Sequence, residues 1–428
     1  MNEDRSNLHV AWSRLVARAL VTAGVRHAVV CPGSRSTPLA LAFEEEEGLD
    51  VDVIVDERSA AFFALGRAKR TGTASVVLST SGTAPAHFFP AVIEATASET
   101  PMLVVTADRP WHAQDVHAPQ TIDQTKLFGA HVRHSAELGL PDATSFEHAM
   151  RVAAQCVLAT RSPAPGAVHL NARFAKPLEP QMRGDAPPET WEARVAELLA
   201  RGGPRAFAPE VLASVDARRA FVDRVRSARR GVVLAGPMPP WVDAPLLRRA
   251  VERFVLASGF PLVADATSQL RHGTDGIPVL RNFAELRASE SPDLVIQLGA
   301  MPSGFGVEEW LRDGARRVVL SSGAWHDPPG TATEVVVGDP AELLARVAGM
   351  LALSVETSLR GRRKRRPTAG RPRRPTTATF DGHDVCRRVF ASLESGSGSS
   401  SATACLSGTS TPPFLRPRSP WSSSTNAG

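Results

Sequence analysis

The chain has 428 residues, 43% of them hydrophobic and 22% charged, a balance that predicts about two to three domains folded around packed cores. Its net charge of +5 comes mostly from segment 360–374, which carries nine Lys or Arg and no acid, so that the remainder sums to −4 and a nucleic-acid partner is not favoured. Because no apolar run reaches the length of a membrane span, no secretory signal is recognisable and the four cysteines lie far apart, we expect a cytoplasmic protein with structural thiols.

Helix and strand patterns alternate through residues 1–185. A helix is predicted near 8–23, and two more near 37–47 and 58–70 separate the first strands. The predicted strands are short and nearly all apolar, and they span 27–32, 51–55, 74–80, 101–110 and 165–174. Such strands, separated by helices, are typical of a parallel sheet that is covered on both faces. We therefore predict a doubly wound α/β domain.

A second α/β unit is predicted at 205–350, after a polar, Pro-containing connection at about 179–205. Its predicted strands span 230–236, 261–265, 293–299, 316–322 and 333–339. The expected fold class is thus α/β, with two doubly wound, mostly parallel-sheet domains. The second unit has no G-x-G-x-x-G segment, which argues against a dinucleotide site.

The rest of the chain has a different composition. Residues 355–380 are expected to form a basic linker rich in Pro and Arg, and 381–394 a short helix. Residues 395–428 are rich in Ser, Pro and Thr without periodicity, which is typical of a disordered tail.

Glu57 stands where an apolar strand, expected to be buried, passes into a helix of small residues that is also expected to be buried, in the stretch "VDVIVDERSAAFFALGRAKRTG". A Glu in such a place is rarely fully buried unless it is paired or functional. The alternative is that Glu57 only complements the positive end of the helix dipole. The residues alone leave both interpretations open.

Polar residues follow several consecutive strands of the first domain. In an open parallel sheet, ligands bind beyond the carboxyl ends of the strands. Each of these residues, taken alone, also fits a turn, a helix cap or a surface ion pair. Together they favour a site for a multiply anionic small molecule. Arg binds carboxylates through two parallel hydrogen bonds, and Gly82 lies at the start of a helix, where an anion could bind. The candidate residues are Gly33, Ser34, Arg35, Glu57, Ser81, Gly82, Thr83, Arg109 and Gln120.

Five segments of the first domain resemble a known family. They read "CPGSRSTPLALAF", "DERSAAFFALGRA", "STSGTAPAHFFPAVIEA", "TADRP" and "APQTIDQ". They are similar to the 2-succinyl-5-enolpyruvyl-6-hydroxy-3-cyclohexene-1-carboxylate synthases, the thiamine-diphosphate enzymes of menaquinone synthesis. The resemblance covers residues of about 1–350.

The resemblance implies a pyrimidine-binding N-terminal domain, a central domain without cofactor, and a pyrophosphate-binding third domain that 381–394 would begin. It implies a homodimer or homotetramer that holds each thiamine diphosphate between two subunits. It also implies Mg²⁺ or Mn²⁺, with the metal ligands in the third domain. The implied reaction decarboxylates 2-oxoglutarate and adds the resulting carbanion to isochorismate.

The same resemblance implies roles for the candidate residues. Glu57 would hydrogen-bond the aminopyrimidine ring and favour the imino tautomer that takes the thiazolium C2 proton. A second group would hold carboxylates or hydroxyls of the substrates; it comprises Ser34, Arg35, Arg109 and Gln120. A third group would contact the cofactor; it comprises Gly33, Ser81, Gly82 and Thr83.

The sequence departs from the family pattern in two places. Phe305 and Gly306 stand where the family carries a basic residue, so one contact to a substrate carboxylate is in doubt. Codons permitted by 401–411 and 419–428 read, in the earlier frame, as G-N-S-L-P-V-R-D-L-D and P-V-V-V-L-D-Q-R-G, which resemble the family's third domain. We therefore expect a frameshift between about Leu393 and Ser399 and an inactive chain as written; the product of the earlier frame is called the restored-frame protein below.

Two other functions remain open at this point. One is another thiamine-diphosphate decarboxylase or carboligase of 2-oxoacids, against which Arg35, Arg109 and the "APQTIDQ" segment argue. The other is a non-catalytic binding protein that uses the basic segment 360–374 on nucleic acid, which salt-dependent binding would reveal.

Overall fold

The computed structural model describes eight ranges of the chain. They are 5–181, 189–239, 241–274, 276–277, 279–280, 292–302, 307–312 and 315–358. The expectations for Phe305, Gly306, the helix at 381–394 and the tail at 395–428 lie outside these residues, as does the linker beyond residue 358.

The first domain alternates helices and strands from its first described residue. Its helices are α1 (Arg5–Thr22), α2 (Thr37–Glu45), α3 (Glu57–Thr71), α4 (Phe89–Ala97), α5 (Phe146–Ala159) and α6 (Glu192–Arg201). Its strands are β1 (His27–Val30), β2 (Asp50–Val53), β3 (Ser75–Ser79), β4 (Met102–Asp108), β5 (His134–Leu138) and β6 (Ala167–Arg173). The six strands form one sheet in the order β2-β1-β3-β4-β6-β5, and every pair is parallel.

Helices cover both faces of this sheet, and β3, β4 and β6 are therefore buried along their whole length. Side chains of a strand alternate between the two faces, and here Val76 contributes to the core formed with α1, α2 and α5. Its neighbour Val77 contributes to the core formed with α3 and α4. The predicted doubly wound, parallel α/β domain is confirmed.

The sequence analysis missed three elements of the first domain. Strand β5 pairs with β6 at one edge of the sheet, and α5 contributes Phe146 and Met150 to the core. Helix α6 lies inside the connection expected at 179–205, and its Val195 and Leu198 join the same core.

The expectation that the strand before Glu57 is buried is wrong. Strand β2 is the edge strand of the sheet, and Val53 and Val55 are 65% and 77% exposed. An edge strand has a neighbour on one side only, so an apolar sequence does not ensure burial there.

The second sheet has the order β12-β11-β10-β7-β8-β9, with all pairs parallel. Its strands are β7 (Gly231–Ala235), β8 (Leu262–Ala264), β9 (Val279–Leu280), β10 (Leu294–Leu298), β11 (Arg316–Ser321) and β12 (Glu334–Val337). Its helices are α7 (Val215–Ser227), α8 (Ala244–Ser258), α9 (Val307–Arg312) and α10 (Pro340–Ser358). The five predicted strands are confirmed, and β9 was not predicted.

The helices of the second sheet also lie on two faces. Phe221 of α7, Phe254 of α8 and Leu344 of α10 share one core, whereas Val307 and Leu311 of α9 pack in another. Helix α10 ends at Ser358, so the first residues of the expected linker at 355–380 are helical. In the described residues, no helix combines the length and apolarity that crossing a bilayer requires.

Candidate functional site

The candidate residues follow the carboxyl ends of four neighbouring strands, β2, β1, β3 and β4. Strand β1 lies between β2 and β3, and the helices that follow β1 and β3 pack on opposite faces, α2 in one core and α4 in the other. Two loops that diverge in this way leave a crevice at the carboxyl ends of the strands, which is the usual ligand position in open α/β sheets.

Gly33 brings the loop after β1 against the loop after β3. A Cβ atom on Gly33 would lie 2.4 Å from Cβ of Thr80, which no side chain could tolerate without displacing one of the loops. The φ angle of Gly33 is 175°, so the requirement is for space and not for a left-handed backbone. Thr80 is buried, and its hydroxyl has no hydrogen-bond partner within the described ranges.

The peptide between Ser81 and Gly82 is held by two glutamines. Gln120 donates from Nε2 to the Ser81 carbonyl at 3.0 Å, and Gln124 accepts from the Gly82 amide at 3.0 Å. The Ser81 hydroxyl donates to the Gln120 carbonyl at 3.2 Å. Gly82 has a φ of 89°, and its Cβ would lie 2.7 Å from Cγ of Gln120, so this position requires glycine on both counts.

This arrangement bears on the expected anion site at Gly82. The Gly82 amide already has a buried acceptor, Gln124, and the turn that follows is a 3₁₀ helix, Ala84–Phe88. Thr83 is exposed and makes no capping hydrogen bond. The Gly82 amide is therefore not free to bind an anion, and glycine is needed here because the backbone passes close to Gln120.

Two arginines lie at the crevice. Arg35 is buried and donates from Nη1 to the Phe174 carbonyl at 2.6 Å, but its Nε has no partner among the described residues. Half-buried Arg109 donates from Nε to the Gln120 carbonyl at 3.3 Å. Burial first, and then the charge of Arg109, lower the pKa of the Arg35 guanidinium. An anion bound between the two cations would relieve that repulsion.

Ser34 opens the short 3₁₀ helix Ser34–Ser36 and is exposed at the rim of the crevice. Thus the structure brings Arg109, Gln120, Ser81 and Gly82 into direct contact. Arg35 and Ser34 lie on the adjacent loop after β1.

Glu57 is the first residue of α3 and is half-buried. The helix is capped by its neighbour, Asp56, which accepts the Ser59 amide at 2.8 Å, and hydrogen bonds from Ser59 lower the pKa of Asp56. Within the described residues the Glu57 carboxylate has no hydrogen bond or ion pair. Asp56, not Glu57, therefore caps the helix, and the first-turn position of Glu57 remains compatible with a favourable interaction with the helix dipole.

Glu57, the first residue of α3, also lies close enough to the end of β1 to affect Cys31. Burial raises the pKa of the Cys31 thiol to about 12, and the charges of Glu57 and then Asp56 add to this effect. Cys31 and Cys156 are free and buried, as expected for structural thiols; Cys386 and Cys405 lie outside the described residues.

The sequence analysis missed a buried polar layer beneath the crevice. Asp108 at the end of β4 forms an ion pair with Arg173 at the end of β6, with 2.8 Å between Oδ2 and Nη1. Both side chains are almost completely buried. The ring of Trp111 lies over the Arg173 guanidinium, 3.6 Å from Cζ to the ring centroid, a geometry that favours a cation–π contact.

A signal for this layer was present in the sequence. The strand "AVHLNAR" carries His169, Asn171 and Arg173 at alternate positions, and "MLVVTAD" carries Thr106 and Asp108 in the same way. Alternate residues of a strand share a face, so these polar residues had to lie together. His169 is buried against Thr106, 2.8 Å from Nε2 to the hydroxyl, and burial lowers its pKa to about 4.

The described ranges contain no group of three or more His, Cys, Asp or Glu that could hold a metal ion. The candidate site presents two guanidinium groups, Arg35 and Arg109, at the carboxyl ends of the strands. The Glu57 carboxylate, at the start of α3, has no hydrogen bond or ion pair among the described residues.

Residues 11–127 match a family model described as the thiamine pyrophosphate enzyme, N-terminal TPP binding domain. The chain is 48% identical over 373 residues to the 2-succinyl-5-enolpyruvyl-6-hydroxy-3-cyclohexene-1-carboxylate synthase of Sorangium cellulosum (strain So ce56), covering 84% of this chain and 60% of the relative. Relatives of the same name from Myxococcus xanthus (strain DK1622) and Haloquadratum walsbyi (strain DSM 16790 / HBSQ001) are 39% and 38% identical, over 83% and 81% of this chain and 62% and 57% of their own lengths. The chain thus spans 57–62% of the length of these relatives.

Proposed function

We propose that this chain, which is homologous over 84% of its length to a 2-succinyl-5-enolpyruvyl-6-hydroxy-3-cyclohexene-1-carboxylate synthase, belongs to a transferase with the same activity. The proposed reaction is the decarboxylation of 2-oxoglutarate and the addition of the remaining succinyl unit to isochorismate. The observation that carries the proposal is the grouping of Arg35, Arg109 and Gln120 at the edge of the sheet where Glu57 has no hydrogen bond or ion pair to any described residue.

The residues at the crevice fit thiamine diphosphate. The Thr80 hydroxyl and Arg35 Nε are buried polar atoms without a partner among the described residues, and such atoms are costly unless a ligand or water satisfies them. We assign Gly33, Thr83 and the peptide between Ser81 and Gly82 to the wall of the cofactor site. When bound, the cofactor supplies the carbon nucleophile of the reaction.

Glu57 would accept a hydrogen bond from the aminopyrimidine ring and hold a proton at that position. Its half-buried carboxylate is available for this role because Asp56 caps the helix. A carboxylate in a partly desolvated site interacts more strongly with a positioned donor than one in water does.

Arg35 and Arg109 would hold substrate carboxylates, with Ser34 and Gln120 beside them. Both proposed substrates carry carboxylates, and two guanidinium groups placed on adjacent loops can bind more than one of them through charge-assisted hydrogen bonds. Burial and, after it, the charge of Arg109 lower the pKa of Arg35, and a bound anion would offset both effects.

We further propose a homodimer or homotetramer. Apolar side chains are exposed on β2, on the segment that joins it to α3, and on α3 and α4; they are Val53, Val55, Phe62, Phe63 and Ile93. Exposed apolar residues grouped in this way favour contact with another protein surface, and a second copy would bring its surface to the carboxylate. The proposal includes Mg²⁺ or Mn²⁺ as the ion that accompanies the diphosphate, and a cytoplasmic location. It also includes the domain boundaries 1–185 and 205–350, with α6 added to the first domain and the end of α10 to the second.

The test is an assay with thiamine diphosphate, Mg²⁺, 2-oxoglutarate and isochorismate, run on the restored-frame protein and on the 428-residue chain. We expect the restored-frame protein to release carbon dioxide from 2-oxoglutarate and to consume isochorismate. Activity on pyruvate alone would favour another carboligase of the same cofactor. No turnover of any 2-oxoacid, together with salt-dependent DNA binding that disappears on deletion of 360–374, would favour a binding protein.

A further inference from the structure

One peptide of the candidate site is tied to the interior by Gln124. This buried side chain accepts from the Gly82 amide at 3.0 Å and donates from Nε2 to the Ala107 carbonyl at 3.4 Å. The opposite side of the same peptide, the Ser81 carbonyl, accepts from Gln120. We call Gln124 with the Ser81–Gly82 peptide the turn arm.

The backbone of Arg109 is tied to the interior on both sides in a similar way. Its amide donates to Asp108 Oδ1 at 2.7 Å, and its carbonyl accepts from Arg173 Nη1 at 2.7 Å. The Asp108–Arg173 pair is itself buried. We call Asp108 and Arg173 with the Arg109 backbone the loop arm.

Asn171, which is fully buried in β6, lies between the two arms. Its Oδ1 accepts from Gln124 Nε2 at 3.1 Å and from the Thr106 hydroxyl at 2.7 Å. Its Nδ2 donates to Asp108 Oδ2 and to Glu137 Oε2, both at 2.9 Å. All four hydrogen-bonding positions of this amide are therefore used.

The two arms meet again at the crevice, where Arg109 Nε donates to the Gln120 carbonyl. The hydrogen bonds consequently form a closed ring. Followed from one contact to the next, the ring passes through Gln120, Ser81, Gly82, Gln124, Asn171, Asp108 and Arg109. Two of its members, Gln120 and Arg109, are candidate ligands of the same anion, and the other members lie beneath them.

We propose that Asn171 is a positioning residue that joins the turn arm and the loop arm into one unit, so that Arg109 and Gln120 keep a common register toward a bound carboxylate. The inference rests on the proposed function for the identity of that carboxylate. The coupling itself is a property of the chain without ligand. Asn171 itself has all its hydrogen bonds satisfied. Loosening one bond of a buried network affects its neighbours, because a buried group that loses its partner cannot replace it with water.

Amide hydrogen exchange of the 428-residue chain, without ligand, tests the coupling. Gln124→Met keeps the volume of the side chain and removes the turn arm's hydrogen bonds. We expect exchange to accelerate at Gly82 and also at Arg109, in each case by roughly three- to tenfold, the effect of one lost buried hydrogen bond. Arg173→Lys, which keeps the charge opposite Asp108, should accelerate exchange at Arg109 and also at Gly82, since coupling is reciprocal.

A matched control comes from the second sheet. Gln297 is also a buried glutamine, and it donates to the carbonyls of Gly299 at 3.1 Å and His326 at 2.9 Å. Gln297→Met should accelerate exchange near those residues and leave Gly82 and Arg109 unchanged. Amides of β1 report any loss of global stability in each variant.

The role of Asn171 as the link between the two arms is tested by combining substitutions. In an Asn171→Ser background, Gln124→Met should no longer alter exchange at Arg109, because the connection is already broken. The proposal is wrong if Gln124→Met accelerates amide exchange at Gly82 but not at Arg109, and Arg173→Lys accelerates it at Arg109 but not at Gly82. The two arms would then be independent. That result would leave the proposed synthase function untouched, since no ligand or turnover enters the measurement. If the Asn171→Ser chain fails to fold, the two single variants still decide.

Discussion

Asp56 and Glu57 are adjacent carboxylates with different tasks at the start of one helix. Asp56 accepts the Ser59 amide at 2.8 Å and caps α3, whereas Glu57 has no protein partner among the described residues. A cap accounts for one acid at this position, not for two. Glu57 is therefore the carboxylate to which we assign the proposed role toward the cofactor.

The first prediction separates these two acids. Glu57→Gln in the restored-frame protein should slow deuterium exchange at C2 of bound thiamine diphosphate, on the order of a hundred- to ten-thousandfold, which is the usual contribution of a positioned acid or base. The change keeps the shape of the side chain and removes its ability to hold the proton. Asp56→Asn is the matched control: Asn also caps helices well, so exchange should stay near the wild-type rate. Equal rates in both variants would end the assignment of Glu57.

The second prediction concerns the two arginines. Arg35→Ala and Arg109→Ala should each lower kcat/KM for 2-oxoglutarate and isochorismate by about ten- to a hundredfold, because a charge-assisted hydrogen bond contributes roughly 1.5–3 kcal/mol. Cofactor binding, measured by calorimetry on the restored-frame protein, should change little. As a control, Arg151→Ala removes an exposed arginine that bonds Gln155 on α5 and should leave the kinetics unaltered. Normal kinetics in both site variants would assign the arginines to the structure alone.

The third prediction tests the contact between the two loops. Gly33→Ala places a Cβ atom 2.4 Å from Cβ of Thr80, and overpacking of this kind costs about 1–3 kcal/mol of the free energy of unfolding. Gly66→Ala is the control, because Gly66 lies within α3 with no atom within 4 Å of an added Cβ. It should stabilise the chain by about 0.5–1 kcal/mol. Urea unfolding measures both, and a Gly33→Ala chain as stable as the parent would contradict the loop contact.

The fourth prediction is a pH dependence. The folded pKa of His169 is lowered to about 4 by burial, below its unfolded value of about 6.5. Between these pH values the unfolded chain binds the additional proton, so stability falls as pH falls. His169→Gln should remove this part of the slope, and the difference in the free energy of unfolding from the parent should change by at most about 3 kcal/mol between pH 7 and pH 4.

A His169→Gln slope identical to the parent's would show that His169 gains its proton without unfolding.

The fifth prediction addresses assembly. Phe62→Asp places a charge among the exposed apolar residues beside Glu57, where Phe62 is 44% exposed. Sedimentation velocity should show a shift toward monomer, because an unpaired charge in an apolar interface is strongly unfavourable. Leu256 on α8 is 69% exposed, and Leu256→Asp should leave assembly unchanged. A parent chain that is monomeric at all concentrations would contradict the proposed oligomer.

The central strands of both sheets were predictable because burial on two faces leaves a nearly continuous apolar run, as in "SVVLS" of β3 and "GVVLA" of β7. Edge strands lack that constraint. Strand β5 reads "HSAEL" and is only partly buried, so nothing in its composition distinguishes it from a loop. The opposite error occurred at β2, where an apolar run led to an expectation of burial that an edge position does not provide.

At the site, the loop residues were predictable from their place after the strands, but their connections were not. Gln124 lies in a polar segment without periodicity, and its contact with Gly82 spans 42 residues of sequence. Such a contact depends on how the loop folds back, which no local pattern encodes. The cap formed by Asp56 with the Ser59 amide was likewise not predicted, because the sequence analysis considered only Glu57 at the start of this helix.

The alternation of side chains on β6 has a consequence for folding. Val168, Leu170 and Ala172 pack in the apolar layer under α1 and α5, whereas Asn171 and Arg173 lie on the other side of the strand. A slip of one residue against β4 would exchange the two sets, placing a guanidinium among hydrocarbon and leaving Asp108 opposite an apolar side chain. Misregistered pairing is thus penalised on both faces at once, and the residues that shape the crevice also ensure that the sheet beneath it is assembled in only one alignment.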